Sequence, residues 1–290
     1  YTTAAVEAST TISLNKSWQL NSKIYWDSFI YDCFWEYLPG SLLPPNGYIT
    51  KAYARDYRLG TEWDFIGQFS ESHRLLIGFS NDFIGLNDSW AENNFPDYGY
   101  QYAELPGSWI SNGEDRNYAI YAQDNYFVTK TLQLVLGIRY DNHTAYGDSW
   151  NPRCAVTQKV GENSHIKLLY GQAFRAPNNW ELYGNSPDQV KNPDLRPERI
   201  QTFEAELYYT FNQNLITRIN YYHNKISDLI LSTLITVDGK ETSTQKNLGK
   251  INVDGIEGEI RGTILNEKHN LYVNGYYNNS EDNYTNQDMH

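Results

Sequence analysis

Long apolar runs are missing from this chain of 290 residues, and cysteine, methionine and positive charge are scarce. No stretch approaches the roughly 18 consecutive apolar residues that a transmembrane helix requires. The mean hydropathy is -0.64. These values exclude a helical membrane protein. Soluble all-β proteins and membrane β-barrels both stay open, because barrel strands alternate lipid-facing apolar with lumen-facing polar residues.

The scarcity of cysteine and of positive charge excludes further classes of protein. Two cysteines, Cys33 and Cys154, are too few for a disulfide framework, and the strand pattern described below separates them, so we expect no bridge between them. The formal net charge of -12 disfavours nucleic-acid binding, which depends on Lys and Arg neutralising phosphate. The chain opens without an initiator Met, and its only Met is Met289, so we expect an internal piece of a longer protein.

Catalytic patterns are missing as well. The six histidines are scattered, with no H-E-x-x-H pair and no two at metal-ligand spacing. The chain has no G-x-S-x-G elbow and no phosphate-cradling glycine loop. We therefore expect a protein that is not an enzyme, and we predict no catalytic residue, no cofactor and no metal ligand.

Aromatic residues are plentiful, at 15% of the chain, and they occur in segments with a period of two. In such segments apolar side chains occupy one face and polar side chains the other, which is the pattern of a half-buried strand. Clear examples are residues 132–140, 165–175, 201–211 and 256–264. Many Tyr and Trp residues lie near the ends of these segments. They indicate either the aromatic girdles of a membrane barrel or simply residues with a high strand propensity.

The connections between these strands are of two unequal kinds. Short polar turns are predicted near 14–18, 70–73, 128–131, 161–164, 211–214 and 265–268. Long connections are predicted at about 34–58, 82–116, 141–150, 176–199 and 229–249. About twelve strands of roughly 10–13 residues in six hairpins result, with short turns at one rim and long loops at the other. This asymmetry is typical of an outer-membrane barrel, whereas a sandwich distributes its loops more evenly.

One segment, 171–198, reads GQAFRAPNNWELYGNSPDQVKNPDLRPE. Its four prolines, at 177, 187, 193 and 197, predict an ordered loop outside a sheet, because proline cannot donate to a strand ladder. The segment resembles TonB-dependent outer-membrane receptors, in which an FRAP-type strand end, an ELY-type loop and an NP-L-PE-type return occur in this order. Segments 117–126, 134–143, 217–230 and 247–260 resemble further strands of the same family.

The resemblance implies an all-β fold, an antiparallel transmembrane β-barrel of about 22 strands that is filled by an N-terminal plug domain. Residues 1–290 would then supply about twelve strands of this single barrel domain. The plug, the TonB-contacting box and the final strands are expected to lie outside this sequence. The resemblance also implies localisation in the bacterial outer membrane.

The function that the resemblance implies is TonB-coupled uptake of a scarce ligand. The first candidate is an iron–siderophore complex, and the second is cobalamin or another large nutrient. The expected partners are the TonB complex, reached through the N-terminal region, outer-membrane lipid and lipopolysaccharide, and a small-molecule metal chelate. Two alternatives stay open: a passive porin-type channel, and a surface β-rich binding or adhesin protein. An upstream plug and TonB box would separate the three.

Candidate ligand contacts lie in two of the long connections. Residues 82–115 carry seven acidic residues and no Lys, Arg or His, together with several aromatic residues. This stretch is either a mouth loop that grips a ligand and binds Ca²⁺ or a solvated surface loop. We predict ligand contacts at Trp90, Tyr98, Tyr100, Tyr102 and Trp109 in this loop. We also predict them at Trp180 and Tyr183 in the connection 176–199 and at Arg175, just before it.

A second set of charges is predicted to face the barrel lumen. It comprises Arg139, Lys167, Arg175, Glu204, Glu206, Arg218, Glu257, Glu259 and Arg261. Two roles are open for each residue: a cross-strand ion pair inside the wall, or a contact with the plug.

Overall fold

The computed structural model describes residues 1–38, 48–93, 103–104, 113–184, 189–212, 214–264 and 268–282. Its elements are β1 (Thr2–Ser13), β2 (Trp18–Leu38), β3 (Tyr48–Gln68), β4 (His73–Asn93), β5 (Ala103–Glu104), β6 (Gly113–Phe127), β7 (Leu132–His143), β8 (Gly147–Lys159), β9 (Ser164–Arg175), α1 (Asn179–Tyr183), β10 (Gln189–Val190), β11 (Glu198–Asn212), β12 (Leu215–Val237), β13 (Lys240–Ile264) and β14 (His269–Asp282). Within these ranges no helix has the length and apolar character that crossing a membrane requires.

The strands form one sheet in which every long strand pairs antiparallel with its neighbour along the chain. The two short strands are side branches, since β5 pairs with β4 and β10 runs parallel to β13. The twelve long strands confirm the predicted all-β antiparallel fold and its six hairpins. The predicted short turns are confirmed between β1 and β2, β3 and β4, β6 and β7, and β8 and β9.

The two faces of the sheet follow from the period of two in the sequence. On one face, large apolar side chains are left exposed along strand after strand. Examples are Phe79, Ile120, Ile138, Phe203, Leu207, Ile219 and Ile256. Soluble monomeric proteins rarely expose an apolar surface of this extent. It is the lipid-facing surface of a barrel wall, whose polar residues point to the other side.

The opposite face carries the predicted ion pairs of the wall. Arg218 lies 3.3 Å from Glu259 on the neighbouring strand and 3.9 Å from Glu206 on the other side. Arg261 lies 3.3 Å from the same Glu259, along one strand. For these residues the structural role, ion pairing within the wall, is confirmed. Because such pairs are partly exposed, each contributes about 1 kcal/mol or less.

The predicted strand lengths and loop limits were wrong at the rim with the long connections. β2, β3 and β4 have 21 residues each, β12 has 23 and β13 has 25, against the 10–13 expected. Most of the predicted loops 34–58 and 229–249 is therefore paired strand. The alternation of apolar and polar residues ends where the wall leaves the lipid. The strands continue to pair beyond that point, because backbone hydrogen bonds form whether or not one face of the sheet contacts lipid.

The connection between β12 and β13 illustrates this error. It is a two-residue turn, Asp238-Gly239, and both residues have positive φ, 51° and 78°. Asp-Gly with this geometry is a strong hairpin signal, which was present in the sequence. Likewise the connection 141–150 shrinks to three residues between β7 and β8. Of the five predicted long connections, 176–199 is the one whose limits agree closely with the strand ends, at Arg175 and Glu198.

Candidate ligand-entry site

A one-turn helix, α1, begins the loop between β9 and β11. Its N-terminus is a capping box: the Asn178 side chain accepts a hydrogen bond from the Glu181 N–H at 2.9 Å, and the Glu181 carboxylate accepts one from the Asn178 N–H at 2.8 Å. The helix ends at Gly184, whose N–H donates to the Trp180 carbonyl at 2.9 Å. A Cβ at position 184 would overlap that carbonyl, so only glycine allows the chain to leave there.

Arg175 connects four elements around this helix. Its guanidinium donates to both oxygens of Glu198, at 2.7 and 2.6 Å, and to both oxygens of Glu181, at 3.0 Å each. Glu198 in turn accepts a hydrogen bond from the Ile230 N–H at 2.9 Å. The carboxylate side chains are 15% (Glu181) and 12% (Glu198) exposed, against 45% for Arg175. A planar fork of donors facing two carboxylates thus joins β9, α1, β11 and β12.

Apolar contacts hold one side of α1. Leu182 is 1% exposed and lies in a cluster with Leu195 and Ile230, with Ala145 and Tyr183 packed against it. Leu195 belongs to the returning half of the same loop, and Ile230 belongs to β12. The loop therefore has a small apolar core of its own, which is unusual for a connection at a barrel rim.

The other side of α1 reaches a distant part of the wall. Trp180 and Tyr183 pack against a second cluster, formed by Ala54 on β3 and Leu86 on β4. In the strand order, five strands separate β4 from β12, on which Ile230 contacts the first side of α1. Since α1 contacts both regions, the sheet must curve around it, and α1 lies across the concave face.

The returning half of the loop is fastened by Asn247 on β13. Its side-chain oxygen accepts from the Arg196 N–H at 2.9 Å, and its side-chain nitrogen donates to the carbonyls of Arg196 and Asp228, both at 2.8 Å. The Arg196 side chain also donates to Asp228 at 2.8 Å. The Asn192 side chain donates to the Gln245 carbonyl at 2.8 Å. These hydrogen bonds hold residues 192–196 against the β12–β13 hairpin.

Below the loop, the concave wall carries tyrosines that lie over glycines of the neighbouring strand. Tyr121 covers Gly78, and its hydroxyl donates to Asp64 at 2.7 Å and to Glu62 at 3.2 Å. The Arg139 guanidinium lies over the same ring, 5.1 Å from its centroid. A hollow of about 480 Å³ opens beside this ring and is also lined by Arg153, Asn151 and Phe174.

Tyr25 on β2 also lies over a glycine of the neighbouring strand and hydrogen-bonds a carboxylate. Its ring lies over Gly60, and its hydroxyl donates to Asp82 across the intervening strand. Arg58 lies 5.0 Å from the centroid of the Tyr25 ring and pairs with Asp27 at 2.8 Å. The wall beneath the mouth therefore combines aromatic faces with both signs of charge, the mixture by which pockets recognise polar ligands.

The structure places the predicted ligand contacts differently. Arg175, Trp180 and Tyr183 come together at α1, where Arg175 binds Glu181 and Glu198 and the two rings pack against the Ala54–Leu86 cluster. Trp90 stacks on Tyr53 of β3, with ring centroids 5.8 Å apart, and by its register it lies on the face away from α1. Tyr98, Tyr100, Tyr102 and Trp109 lie outside the described residues. A ligand-binding role for all eight stays a prediction.

Two features of the site were not predicted. These are the hydrogen bonds by which Asn247 holds the loop and the packing of tyrosine rings over glycines of neighbouring strands. A glycine inside a strand pattern, such as Gly78, is a signal for close approach of another group. In the ranges that the structure covers, no three His, Cys, Asp or Glu side chains are grouped as metal ligands.

Acid is expected to loosen the loop through Glu198. Burial disfavours its charged form, but hydrogen bonds from Arg175 and from the Ile230 N–H outweigh burial and keep the pKa of Glu198 below its ordinary value of 4.5. With the folded pKa lowered, the stabilisation is complete above about pH 4.5 and is lost as pH falls through the folded pKa. Protease cleavage within 176–197 should therefore stay constant from about pH 7 to about pH 5 and rise below it.

The matched variant for this prediction is Glu198→Gln, which cannot titrate. Its cleavage should be faster at neutral pH, because one of the two carboxylates that pair with Arg175 is gone, and should rise less on acidification. Equal acid sensitivity of the two proteins would show that another group is responsible.

Comparison with known sequences agrees with the architecture. The family model described as the β-barrel of TonB dependent receptor-like proteins matches residues 1–289. The probable TonB-dependent siderophore receptor PirA of Acinetobacter baumannii is 30% identical over 202 residues, 58% of this chain and 26% of that protein. The ferric enterobactin receptor PirA of Pseudomonas aeruginosa is 26% identical over 165 residues, 49% of this chain and 22% of that protein.

A vitamin B12 transporter, BtuB of Vibrio cholerae, is 29% identical over 128 residues, 43% of this chain and 19% of that protein. The matched parts are thus about a quarter or less of these relatives' lengths. Among solved structures, the siderophore receptor PirA from Acinetobacter baumannii superposes with a TM-score of 0.68 at 19% identity, covering 90% of this chain and 42% of that chain.

The copper transporter OprC gives a TM-score of 0.72 at 13% identity, covering 97% of this chain and 47% of that chain. Identities this low establish likeness of fold and nothing further. Because the family model covers nearly the whole sequence, the chain belongs to the TonB-dependent receptors, and it forms part of their outer-membrane β-barrel.

Proposed function

We propose that this barrel belongs to a receptor for TonB-coupled uptake of an iron–siderophore complex. The carrying observation is the 30% identity over 202 residues with a relative named as a probable siderophore receptor. Two further relatives are named ferric enterobactin receptors. The expected partners are the TonB complex, a small-molecule metal chelate, and the lipid and lipopolysaccharide around the wall.

The wall supports an aromatic, charged ligand rather than a simple ion. Tyr121 and Tyr25 present rings beside Arg139 and Arg58, so that aromatic faces and guanidinium groups alternate along the concave side. Both guanidinium groups are paired with carboxylates, Arg58 with Asp27 and Arg139 with Asp141, so this surface suits a metal chelate that carries aromatic and polar groups rather than a bare anion. The proposed contacts at the mouth are Arg175, Trp180 and Tyr183, joined by Trp90, Tyr98, Tyr100, Tyr102 and Trp109.

Cobalamin is the second candidate, since a relative over 128 residues is named as a vitamin B12 transporter. Nothing in the described wall selects it over a siderophore. The relative with the higher identity and longer match is the siderophore receptor, so cobalamin is kept as an arm of the test.

The test uses the entire protein that carries this barrel, expressed in a strain without its own siderophore and cobalamin receptors. Under iron limitation, growth should return with a catecholate or hydroxamate siderophore and should be abolished in a TonB-deficient strain. Rescue of a cobalamin-limited culture alone would replace the siderophore with cobalamin. Growth in both TonB-proficient and TonB-deficient strains would indicate a passive channel instead.

In the same uptake assay, Trp180→Phe and Tyr183→Phe test the proposed mouth contacts. Both substitutions keep a ring to pack against Ala54 and Leu86, so the helix position should be preserved. If these residues contact the ligand, the half-saturating concentration should rise about 3- to 10-fold, the cost of one lost hydrogen bond. Trp150→Phe, on the exposed apolar face, is the matched control and should leave uptake unchanged.

A further inference from the structure

Arg153 on β8 is an unpaired cation on the concave face of the wall. It lines the hollow of about 480 Å³ beside Tyr121 and is exposed to that space. Among the described residues, its guanidinium has no carboxylate within 4 Å and no hydrogen-bond partner. Arg139, one strand away, differs because Asp141 binds it at 2.8 Å. The charge of Arg153 is therefore available to a group that is not part of the described wall.

All of the wall positions that surround Arg153 lie within the described ranges, and none of them is a carboxylate. Directly opposite Arg153 on the two neighbouring strands are Gly137 and Gly171. The next residues on this face of its own strand are Asn151 and Ala155. The diagonal positions on the neighbouring strands are Val135, Arg139, Leu169 and Ala173. Such surroundings favour an anion beside the guanidinium, because a cation partly withdrawn from water is stabilised by a paired opposite charge.

The two glycines opposite Arg153 shape the space around it. The Arg153 side chain lies flat over Gly137, where a Cβ would come within 2.8 Å of Nε. A Cβ at Gly171 would meet nothing closer than Leu169 Cδ2, at 3.9 Å, so the space above Gly171 is open. One glycine thus accommodates the arginine, and the other leaves a gap in the wall next to it.

This gap belongs to a second hollow, of about 510 Å³, which lies on the short-turn side of the first and shares Arg153 with it. Its apolar lining is formed by Val135, Ala155, Leu169, Ala173 and Ile200. The lumen face of a membrane barrel is normally polar, so an apolar hollow on this face departs from the pattern. Its size is that of a small-molecule site. Gly171 lies four residues, about 13 Å along the strand, from Arg175 at the mouth.

The other charges of this second hollow compensate each other. Lys167 and Glu204 both line it. Lys167 lies opposite Glu206 in the ladder, and Glu204 lies opposite Leu169, two residues from Lys167. Lys167 therefore has one carboxylate directly opposite and another on the diagonal. Of the described cations that line the hollow, Arg153 is the one without a neighbouring carboxylate.

We propose that Arg153 and the second hollow form a further ligand position, inside the barrel, for an organic anion that carries an apolar group next to a carboxylate. The guanidinium binds the carboxylate through charge-assisted hydrogen bonds, and the apolar group occupies the hollow. This inference rests on the proposed uptake of a metal chelate and names a chemical feature of that chelate. A chelate that has left the mouth meets this position on its way to the short-turn rim.

The test uses the whole receptor in non-ionic detergent and 4-benzoylbenzoate, an aromatic carboxylate whose ketone inserts into nearby C–H bonds under near-ultraviolet light. The neutral probe is 4-benzoylbenzamide. We expect the acid to label peptides that contain Val135, Leu169 or Ile200. The amide should need at least about a tenfold higher concentration for equal labelling, because it lacks the charge-assisted hydrogen bond. Arg153→Gln should raise the half-saturating concentration of the acid by a similar factor, and Arg153→Lys by less.

The matched control is Arg74→Gln, which removes an exposed arginine beside a largely polar hollow at the short-turn rim and should label as the unaltered receptor does. Heat-modifiable migration checks folding. Should Arg153→Gln fail that check, Ala155→Leu decides, since it should prevent labelling by filling the hollow. Equal labelling by acid and amide, or of Arg153→Gln and the unaltered receptor, would overturn the inference. A lower conversion temperature of Arg153→Gln with unchanged labelling would do the same, because Arg153 would then pair with another segment of the receptor.

The result is separable from that of the growth test. Siderophore-dependent growth without labelling of the hollow would overturn this inference and leave the proposed function intact. Labelling of the hollow by the acid without such growth would support the ligand position and overturn the proposed function.

Discussion

Replacing Arg175 with Gln is expected to release α1 from the barrel mouth. Glu181 and Glu198 would stay largely buried without their common cation, and the capping box would lose the group that orients Glu181. Removing one partner of such a hydrogen-bonded group costs about 2–3 kcal/mol. Amide hydrogen exchange at Leu182 and Gly184 in the complete receptor should accelerate about 30- to 150-fold.

The control for this result is Arg196→Gln in the same loop. Arg196 is 69% exposed and makes one ion pair, with Asp228, so its loss should cost about 1 kcal/mol or less. Arg175→Lys should fall between the two, because one ammonium cannot serve two carboxylates in the fork geometry. Unchanged exchange in Arg175→Gln would mean that the apolar contacts of Leu182 alone hold the helix.

Gly78→Val is expected to destabilise the wall itself. A Cβ at position 78 would overlap the Tyr121 ring, whose displacement also breaks the hydroxyl contact with Asp64. Overpacking of this kind costs about 1–3 kcal/mol, and the lost hydrogen bond adds about 1 kcal/mol. In the full receptor, the temperature at which the heat-modifiable band converts to the unfolded form should therefore fall.

A matched glycine is available on β13. Nothing lies within 4 Å of a Cβ at Gly258, so Gly258→Val should leave that temperature unchanged or raise it, since Val favours strands. Adding Tyr121→Ala to Gly78→Val should recover part of the loss by removing the overlapping ring, in a double-mutant cycle. Equal effects of the two glycine substitutions would show that the ring does not need the space.

The wall was predictable because its cause is local. Each strand that crosses the lipid must alternate apolar and polar residues. The face on which a residue lies, such as the outer face for Leu207 and the inner face for Glu206, can therefore be read from the sequence. Above the lipid that constraint disappears. The upper part of β12 carries Leu, Ile and Val beside Ser and Thr on both faces without regular alternation, and a loop was predicted where the backbone ladder continues to Asp238-Gly239. The Asp-Gly turn signal and the β-branched residues of 230–237 were local cues for the correct answer.

The site was less predictable because its contacts join residues far apart in the sequence. Asn247 fastens a loop 51 positions away, and Trp180 packs on β3 and β4 at the far side of the curve. The prolines and the FRAP-type segment correctly indicated an ordered loop. They did not indicate that Arg175 would be occupied by Glu181 and Glu198, since both carboxylates reach it only after the chain has folded.

The length of the β12–β13 hairpin has a practical consequence on living cells. From Tyr221, at the edge of the apolar band, to Val237 at the tip, β12 rises 16 residues. At about 3.3 Å per residue and barrel tilt, the tip stands roughly 40 Å above the lipid. Its Asp238-Gly239 turn is exposed, and exposed turns tolerate insertion. An epitope or fluorophore placed there would report the receptor's presence on intact bacteria.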